Sequence, residues 1–285
     1  MANRLPEGAA LLLTLPRSGS TWLFDALRAH PAVEMLTAAT LFRRLGLHGR
    51  RYPRDLSEPD PDRGQRIEIR PRQWACVPPF EVPGAAELIS KDTRARRYAV
   101  EKLHPHFYDW DLDRFIERLE RLERRVTVRL IYLVRDPESS MLSFVRYQER
   151  NPDWNPDVSR TDLPRRTTRF YEAIAACRRL RSGPVLDYRK LQNDFIGTLT
   201  GLFEYLWPGR AEGERARERE LAERIAAATD RSGRTSGHGS FFESRAAQTA
   251  DDTAALLVQI GGDREAIDRC RRAYRQLVPE DGVEA

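Results

Sequence analysis

The sequence predicts an α/β fold of three layers, a central parallel sheet with helices on both faces. Two observations carry this. Short apolar runs suited to buried strands alternate with amphipathic stretches at helical spacing, the pattern of crossover-connected parallel strands. In addition, each of three polar, phosphate-type segments begins where a predicted strand ends, and sheets of this kind bind ligands at their carboxyl ends. The 285 residues, 40% of them hydrophobic, suit one sizeable domain with insertions or two small ones.

Four runs read as strands: Ala9–Leu15, Arg97–Leu103, Thr127–Val134 and Pro184–Tyr188. The third is β-branched and strongly apolar, long enough for a buried strand. Helical spacing marks Thr21–Ala29, Asp111–Arg124, Glu138–Gln148, Pro164–Leu180, Leu191–Leu206, Arg215–Thr229, Asp251–Ile260 and Arg264–Gln276. Between these, His48–Pro83 and Glu149–Pro164 read as irregular, rich in Pro and carrying Trp74, Phe80 and Trp154. Long aromatic loops in a compact domain are lids, binding walls or plain surface excursions. Asp230–Ser240 reads as a polar Gly/Ser loop.

Composition narrows the function classes. The formal net charge is +5, and lysine stands only at Lys91, Lys102 and Lys190. So marked an arginine bias points to a GC-rich, bacterial source. Arg114–Arg125 and Arg210–Arg224 alternate Arg with Glu, as solvated helix faces do, and no nucleic-acid motif is visible. The three cysteines, Cys76, Cys177 and Cys270, form neither a disulfide framework nor a metal knuckle. Leu11–Leu15 is far shorter than the ~20 residues of a membrane span, and no basic segment with a long apolar stretch opens the sequence. A soluble cytoplasmic protein is expected, with no membrane or nucleic-acid partner; its oligomeric state is open.

The chemistry is concentrated in three segments. After Leu11–Leu15 the sequence reads Pro16-Arg17-Ser18-Gly19-Ser20-Thr21-Trp22-Leu23. Strand, small polar loop and helix in that order make an anion cradle: a helix N-terminus offers unsatisfied N–H groups and partial positive charge. Gly19 lets the backbone approach phosphate oxygens; Ser18, Ser20 and Thr21 add donors and Arg17 adds charge. It is not the nucleoside-triphosphate loop G-x-x-x-x-G-K-[ST], because it has one glycine, no lysine after it, and its cation before it. The second segment is Arg135-Asp136-Pro137-Glu138-Ser139-Ser140-Met141-Leu142-Ser143. Pro137 suits a first helical turn with Asp136 as its cap, so Arg135 leaves the strand end and Ser143 lies two turns into the helix. The third is Asp187-Tyr188-Arg189-Lys190-Leu191.

Together these segments resemble the PAPS-dependent sulfotransferase family. Its phosphosulfate loop usually reads Pro-Lys/Arg-Ser-Gly-Thr/Ser-Thr-Trp/Leu, and its later segments carry a strand-end Arg, a helical Ser and a Tyr-Glu-Asp-Leu run. The resemblance covers roughly residues 9–30, 98–104, 126–145 and 184–208, in the family's order. It implies a single domain over 1–285 with a P-loop-like phosphate-binding loop and lid or acceptor-binding insertions at about 46–96 and 149–164. It further implies that Arg17, Ser18, Gly19, Ser20 and Thr21 hold the 5′-phosphosulfate of PAPS, and that Arg135 and Ser143 hold the 3′-phosphate. Trp22 and Tyr188 approach the adenine on this reading; alternatively each is an aromatic that covers the core. The family's late Arg-Lys-Gly segment is matched only by Arg231, Gly233 and Arg234, without its Lys or the following Asp-Trp.

For the reacting centre, strand alternation in Tyr98-Ala99-Val100-Glu101-Lys102-Leu103-His104-Pro105 puts Lys102 and His104 on one side and Glu101 on the other. The resemblance makes His104 the base and Lys102 a cation beside the sulfuryl group; Glu101 is the alternative base and His106 a weaker one. A histidine has the pKa to take a proton from an acceptor near neutral pH. Many cytosolic relatives carry Lys where Arg17 stands, and an arginine does not readily donate a proton, so if a general acid is required Lys102 is the better candidate.

The implied reaction moves a sulfuryl group from PAPS to a hydroxyl or amine of a small molecule, such as a secondary metabolite or glycan. It leaves adenosine 3′,5′-bisphosphate and requires no metal. Two rivals are a nucleotide or small-molecule kinase with a degenerate P-loop and a non-catalytic nucleotide-binding protein.

Overall fold

The computed structural model describes residues 8–35, 65–70, 73–77, 82–95, 98–103, 112–150, 158–232, 250–260 and 264–278. In chain order the elements are β1 (Gly8–Thr14), α1 (Ser20–Arg28), β2 (Val33–Met35), β3 (Gln65–Arg70), β4 (Gln73–Val77), α2 (Ala85–Leu88), α3 (Lys91–Ala95), β5 (Tyr98–Leu103), α4 (Leu112–Glu123), β6 (Thr127–Val134), α5 (Pro137–Arg150), a 3-10 turn at Arg160–Asp162, α6 (Leu163–Leu180), β7 (Val185–Asp187), α7 (Tyr188–Asn193), α8 (Phe195–Leu206), α9 (Glu212–Ser232), α10 (Ala250–Gln259) and α11 (Arg264–Leu277).

Five strands form one parallel sheet in the order β2-β5-β1-β6-β7. β1 is central, and all seven of its residues are buried, which is why it reads as a continuous apolar run rather than an alternating one. Leu11 and Leu13 face one layer with Tyr132, Phe144, Phe170 and Tyr171. Leu12 faces the other with Leu23, Leu27, Ile131, Leu202 and Phe203. The three-layer parallel architecture expected from the sequence is what forms.

Some element boundaries differ, for identifiable reasons. The helix expected over Leu191–Leu206 is two helices. Asp194 leaves helical geometry and its Oδ1 accepts the Gly197 N–H at 3.0 Å, capping the second. Likewise Asp187 Oδ1 accepts the Arg189 N–H at 2.8 Å, so Tyr188 opens a helix instead of closing a strand. Within His48–Pro83, expected to be irregular, β3 and β4 pair as an antiparallel hairpin. Glu149 belongs to the last turn of α5 and Pro164 sits in the first turn of α6, where its missing N–H costs nothing. Asp230–Ser232 form the last turn of α9 rather than a loop.

The solvated-face reading of Arg210–Arg224 fails at two positions. Glu218 is buried and pairs with the nearly buried Arg210. Beside them the buried His30 ring stacks on Trp207 at 4.2 Å, and its Nδ1 accepts the Ala32 N–H at 3.1 Å. This cluster ties the far end of α1 to α9. Among the described residues no helix is long and apolar enough to cross a membrane, and no group of three or more His, Cys, Asp and Glu could hold a metal ion. Cys177 and Cys270 are buried free thiols, and burial pushes both up, to about 12 and about 11.

Candidate functional site

The loop between β1 and α1 is folded by its own hydroxyls. Ser18 Oγ donates to the Leu15 carbonyl at 2.7 Å and pairs with Thr14 Oγ1, both side chains being fully buried. Ser18 thus shapes the loop with its hydroxyl. Two residues take left-handed backbone, Arg17 with φ 67° and Gly19 with φ 81°. For an arginine this geometry costs about 1–2 kcal/mol, so something must hold it. Two contacts from the β6–α5 junction do: Arg135 donates to the Arg17 carbonyl at 2.8 Å, and Ser140 Oγ to the Pro16 carbonyl at 3.4 Å. The first helical bond of α1 runs from Leu23 N–H to the Gly19 carbonyl at 3.1 Å. The N–H groups of Ser20, Thr21 and Trp22 precede it and face the loop, with the positive end of the helix dipole behind them.

The second motif forms as its sequence suggests. Asp136 caps α5, its carboxylate accepting the Ser139 N–H at 2.9 Å and its carbonyl the Ser140 N–H at 2.9 Å. Arg135 stands at the end of β6, its guanidinium 4.4 Å from the centre of the Tyr188 ring. Its carbonyl accepts the Tyr171 hydroxyl. Burial pushes the Arg135 pKa below the ordinary arginine value, and its buried Nε–H meets no acceptor among the described residues. An unmatched buried cationic donor beside a helix N-terminus fits an anionic group. Ser143 is half-buried on α5, two turns from the cap.

Tyr188 is buried and its ring lies directly against Gly19, in the space a side chain at 19 would occupy. Trp22 is half-buried and stacks on Phe195, centroids 4.2 Å apart. Both aromatics therefore pack the walls of the loop. The exposed Arg17 guanidinium lies 4.2 Å over the Tyr147 ring. Lys102 is half-buried near the carboxyl end of β5, opposite Leu12 of β1, with Nζ 5.7 Å from the Phe24 ring centre.

The structure thus brings Arg17, Ser18, Gly19, Ser20, Trp22, Arg135 and Tyr188 together, with Lys102 on the neighbouring strand. Only the backbone is described for Thr21, Glu101 and Arg231, and Arg231 belongs to the last turn of α9. His104, His106, Gly233 and Arg234 lie outside the described residues. Sequence reading passed over Tyr147, Tyr171, Asp187 and Tyr274. Tyr147 had a signal, since it follows Ser143 by four residues on one helix face.

Residues 10–207 match the protein-family description "Sulfotransferase family". Among solved structures, mouse sulfotransferase SULT7A1 complexed with PAP aligns with a TM-score of 0.50 at 11% identity, over 94% of this chain and 89% of that one. The sulfotransferase domain of the Synechococcus PCC 7002 olefin synthase aligns at 0.42 and 16% identity, over 92% and 97%. A sulfotransferase from Alicyclobacillus acidocaldarius aligns at 0.42 and 11%, over 93% and 99%. No curated protein sequence matches.

Proposed function

The chain belongs to the sulfotransferase family, and from that premise we propose that it transfers a sulfuryl group from PAPS to a hydroxyl or amine of a small-molecule acceptor. PAPS supplies the activated sulfuryl group, and adenosine 3′,5′-bisphosphate is what remains of it. The observation that carries this reading is the hydrogen bond from Arg135 to the Arg17 carbonyl. It joins the two segments assigned to opposite phosphate ends of one donor, and leaves the buried Arg135 Nε without an acceptor among the described residues. The complex of mouse SULT7A1 with PAP supports the choice of donor.

In this reading the α1 N-terminus and Arg17 stabilise the negative charge that grows on the bridging phosphate oxygen, the kind of fixed stabilisation that is usually the largest catalytic contribution. Arg135 and Ser143 bind the 3′-phosphate. Trp22, Tyr188 and the segment of Arg231, Gly233 and Arg234 complete the nucleotide site. Lys102 supplies a proton or positive charge beside the leaving oxygen, and His104, one residue past β5, takes the acceptor's proton, with Glu101 as the alternative base. A bacterial source fits the arginine-rich composition, and a cytoplasmic setting is part of the same proposal.

The test is calorimetric titration with adenosine 3′,5′-bisphosphate, followed by an acceptor screen with labelled PAPS using wild type, Arg17→Ala and His104→Ala. Saturable nucleotide binding, and transfer that both substitutions abolish, is the expected result. Mg²⁺-dependent ATP turnover, or absence of nucleotide binding, overturns the assignment.

A further inference from the structure

The family match ends at residue 207, yet α11 reaches back to the elements that carry the candidate nucleotide site. Tyr274, buried on α11, donates its hydroxyl to Asp187 Oδ2 at 2.6 Å. The other oxygen of that carboxylate, Oδ1, accepts the Arg189 N–H and starts α7. The first residue of α7 is Tyr188, whose ring fills the space at Gly19 and underlies the Arg135 guanidinium. The Tyr274 ring also meets Tyr171 edge-on, centroids 5.8 Å apart, and Tyr171 donates to the Arg135 carbonyl. One turn earlier on α11, Arg271 pairs with Glu138 in the first turn of α5.

These contacts differ from the packing that anchors the helix. Ile267, Cys270, Ala273 and Leu277 are buried on α11 and pack it against the core, whereas the phenolic hydroxyl adds a polar contact to that packing. What the hydroxyl does is fix one carboxylate. Without it, among the described residues Asp187 Oδ2 keeps Arg189 Nη2 at 3.5 Å, from a largely exposed side chain. A cap free to rotate no longer pins the start of α7.

We infer that Tyr274 is a positioning residue of the nucleotide site. Acting through Asp187 and Tyr171, it holds Tyr188 and Arg135 in register with the Gly19 loop, so a helix outside the family-matched segment sets nucleotide affinity. This rests on the donor-site reading above.

The test compares wild type, Tyr274→Phe and Ile267→Val. Amide hydrogen exchange is followed across residues 15–23 and 188–193, and adenosine 3′,5′-bisphosphate affinity is measured by calorimetry. Tyr274→Phe keeps the ring and removes the charge-assisted hydrogen bond to Asp187 together with the longer one the hydroxyl accepts from Arg189 Nη2 at 3.4 Å. Faster exchange in both segments and affinity weakened about five- to tenfold are expected, part of the worth of such a bond. Ile267→Val loosens the helix in the core and leaves the affinity within twofold. Unchanged exchange in Tyr274→Phe, affinity within twofold of wild type, or an equal loss in Ile267→Val overturns the inference. If the wild type itself does not bind the nucleotide, the donor reading falls; exchange alone then decides, faster exchange upholding the coupling of Tyr274 to the loop and unchanged exchange refuting it.

Discussion

Gly19→Ala adds one methyl group where the structure has no place for it. The first cost is backbone geometry. At φ 81° a residue with a Cβ sits in the left-handed region at about 1–2 kcal/mol. The second is steric. A Cβ at position 19 lies 2.6 Å from Tyr188 Cδ2 and nearer still to Cε2, against ordinary contact of 3.4–4 Å. Tyr188 is 4% exposed and its ring is covered by Arg135 at 4.4 Å, so it cannot swing away without breaking that stack. Overpacking of this kind costs about 1–3 kcal/mol. The sum, roughly 2–5 kcal/mol, is a large part of the ~5–15 kcal/mol that stabilises a typical domain. Urea denaturation measures it directly, and calorimetry with adenosine 3′,5′-bisphosphate reports the loop. Gly19→Ala/Tyr188→Leu should recover the steric part and retain the backbone part. A Gly19→Ala protein within about 0.5 kcal/mol of wild type, with unchanged nucleotide affinity, refutes the close-packed loop.

Arg135→Ala should weaken adenosine 3′,5′-bisphosphate binding by about 1.5–3 kcal/mol, typical of a charged hydrogen bond; unchanged calorimetric affinity contradicts the assignment. Burial, helped by Arg210, lowers the His30 pKa from 6.5 to about 3. Between these values the unfolded chain binds a proton that the folded chain does not. The contribution is therefore complete above pH 6.5 and is lost as pH falls, by about 2 kcal/mol at pH 5. Denaturation curves at pH 7 and pH 5 should show the loss, and His30→Asn, which keeps an acceptor for the Ala32 N–H, should abolish most of it; an equal slope in both proteins sinks the attribution. Nucleotide affinity should be the same in EDTA as in Mg²⁺, measured by calorimetry, whereas a chelator-sensitive affinity would favour the kinase reading.

The parts of this fold that were legible from sequence are those where one local rule decides. The run Ala9–Leu13 offers no polar face, so it is buried on both, as all of β1 is. Asp136-Pro137 after a β-branched run is a helix start, and Asp136 caps α5. The break at Asp194 was hidden because Leu191, Leu199 and Leu202 keep apolar spacing across it, and all three pack in one layer. β2 was hidden by its length of three residues. The burial of Arg210 and Glu218 could not be read, since the same alternation of charges elsewhere on α9 faces solvent; packing against His30 and Trp207 decides it. The candidate site was legible as types of residue, not as contacts. Arg135 and the Arg17 carbonyl are 118 positions apart, and nothing in either segment specifies that they bond. The roles of Ser18 and Tyr188 as builders of the loop arise from closeness that only the folded chain creates.

β1 and β6 run side by side, with Thr14 opposite Leu133. The rungs between them are about 4.8 Å wide and act as a ruler that no rim side chain restretches. The gap separating the β1–α1 and β6–α5 junctions is thereby locked by main-chain bonding. Point substitutions at the rim tune how tightly a ligand is gripped; admitting a longer or shorter one calls for an inserted residue or a slipped register. A one-residue slip would turn every apolar side chain of that strand to the opposite layer, so the reach of the site and the integrity of the core stand or fall together.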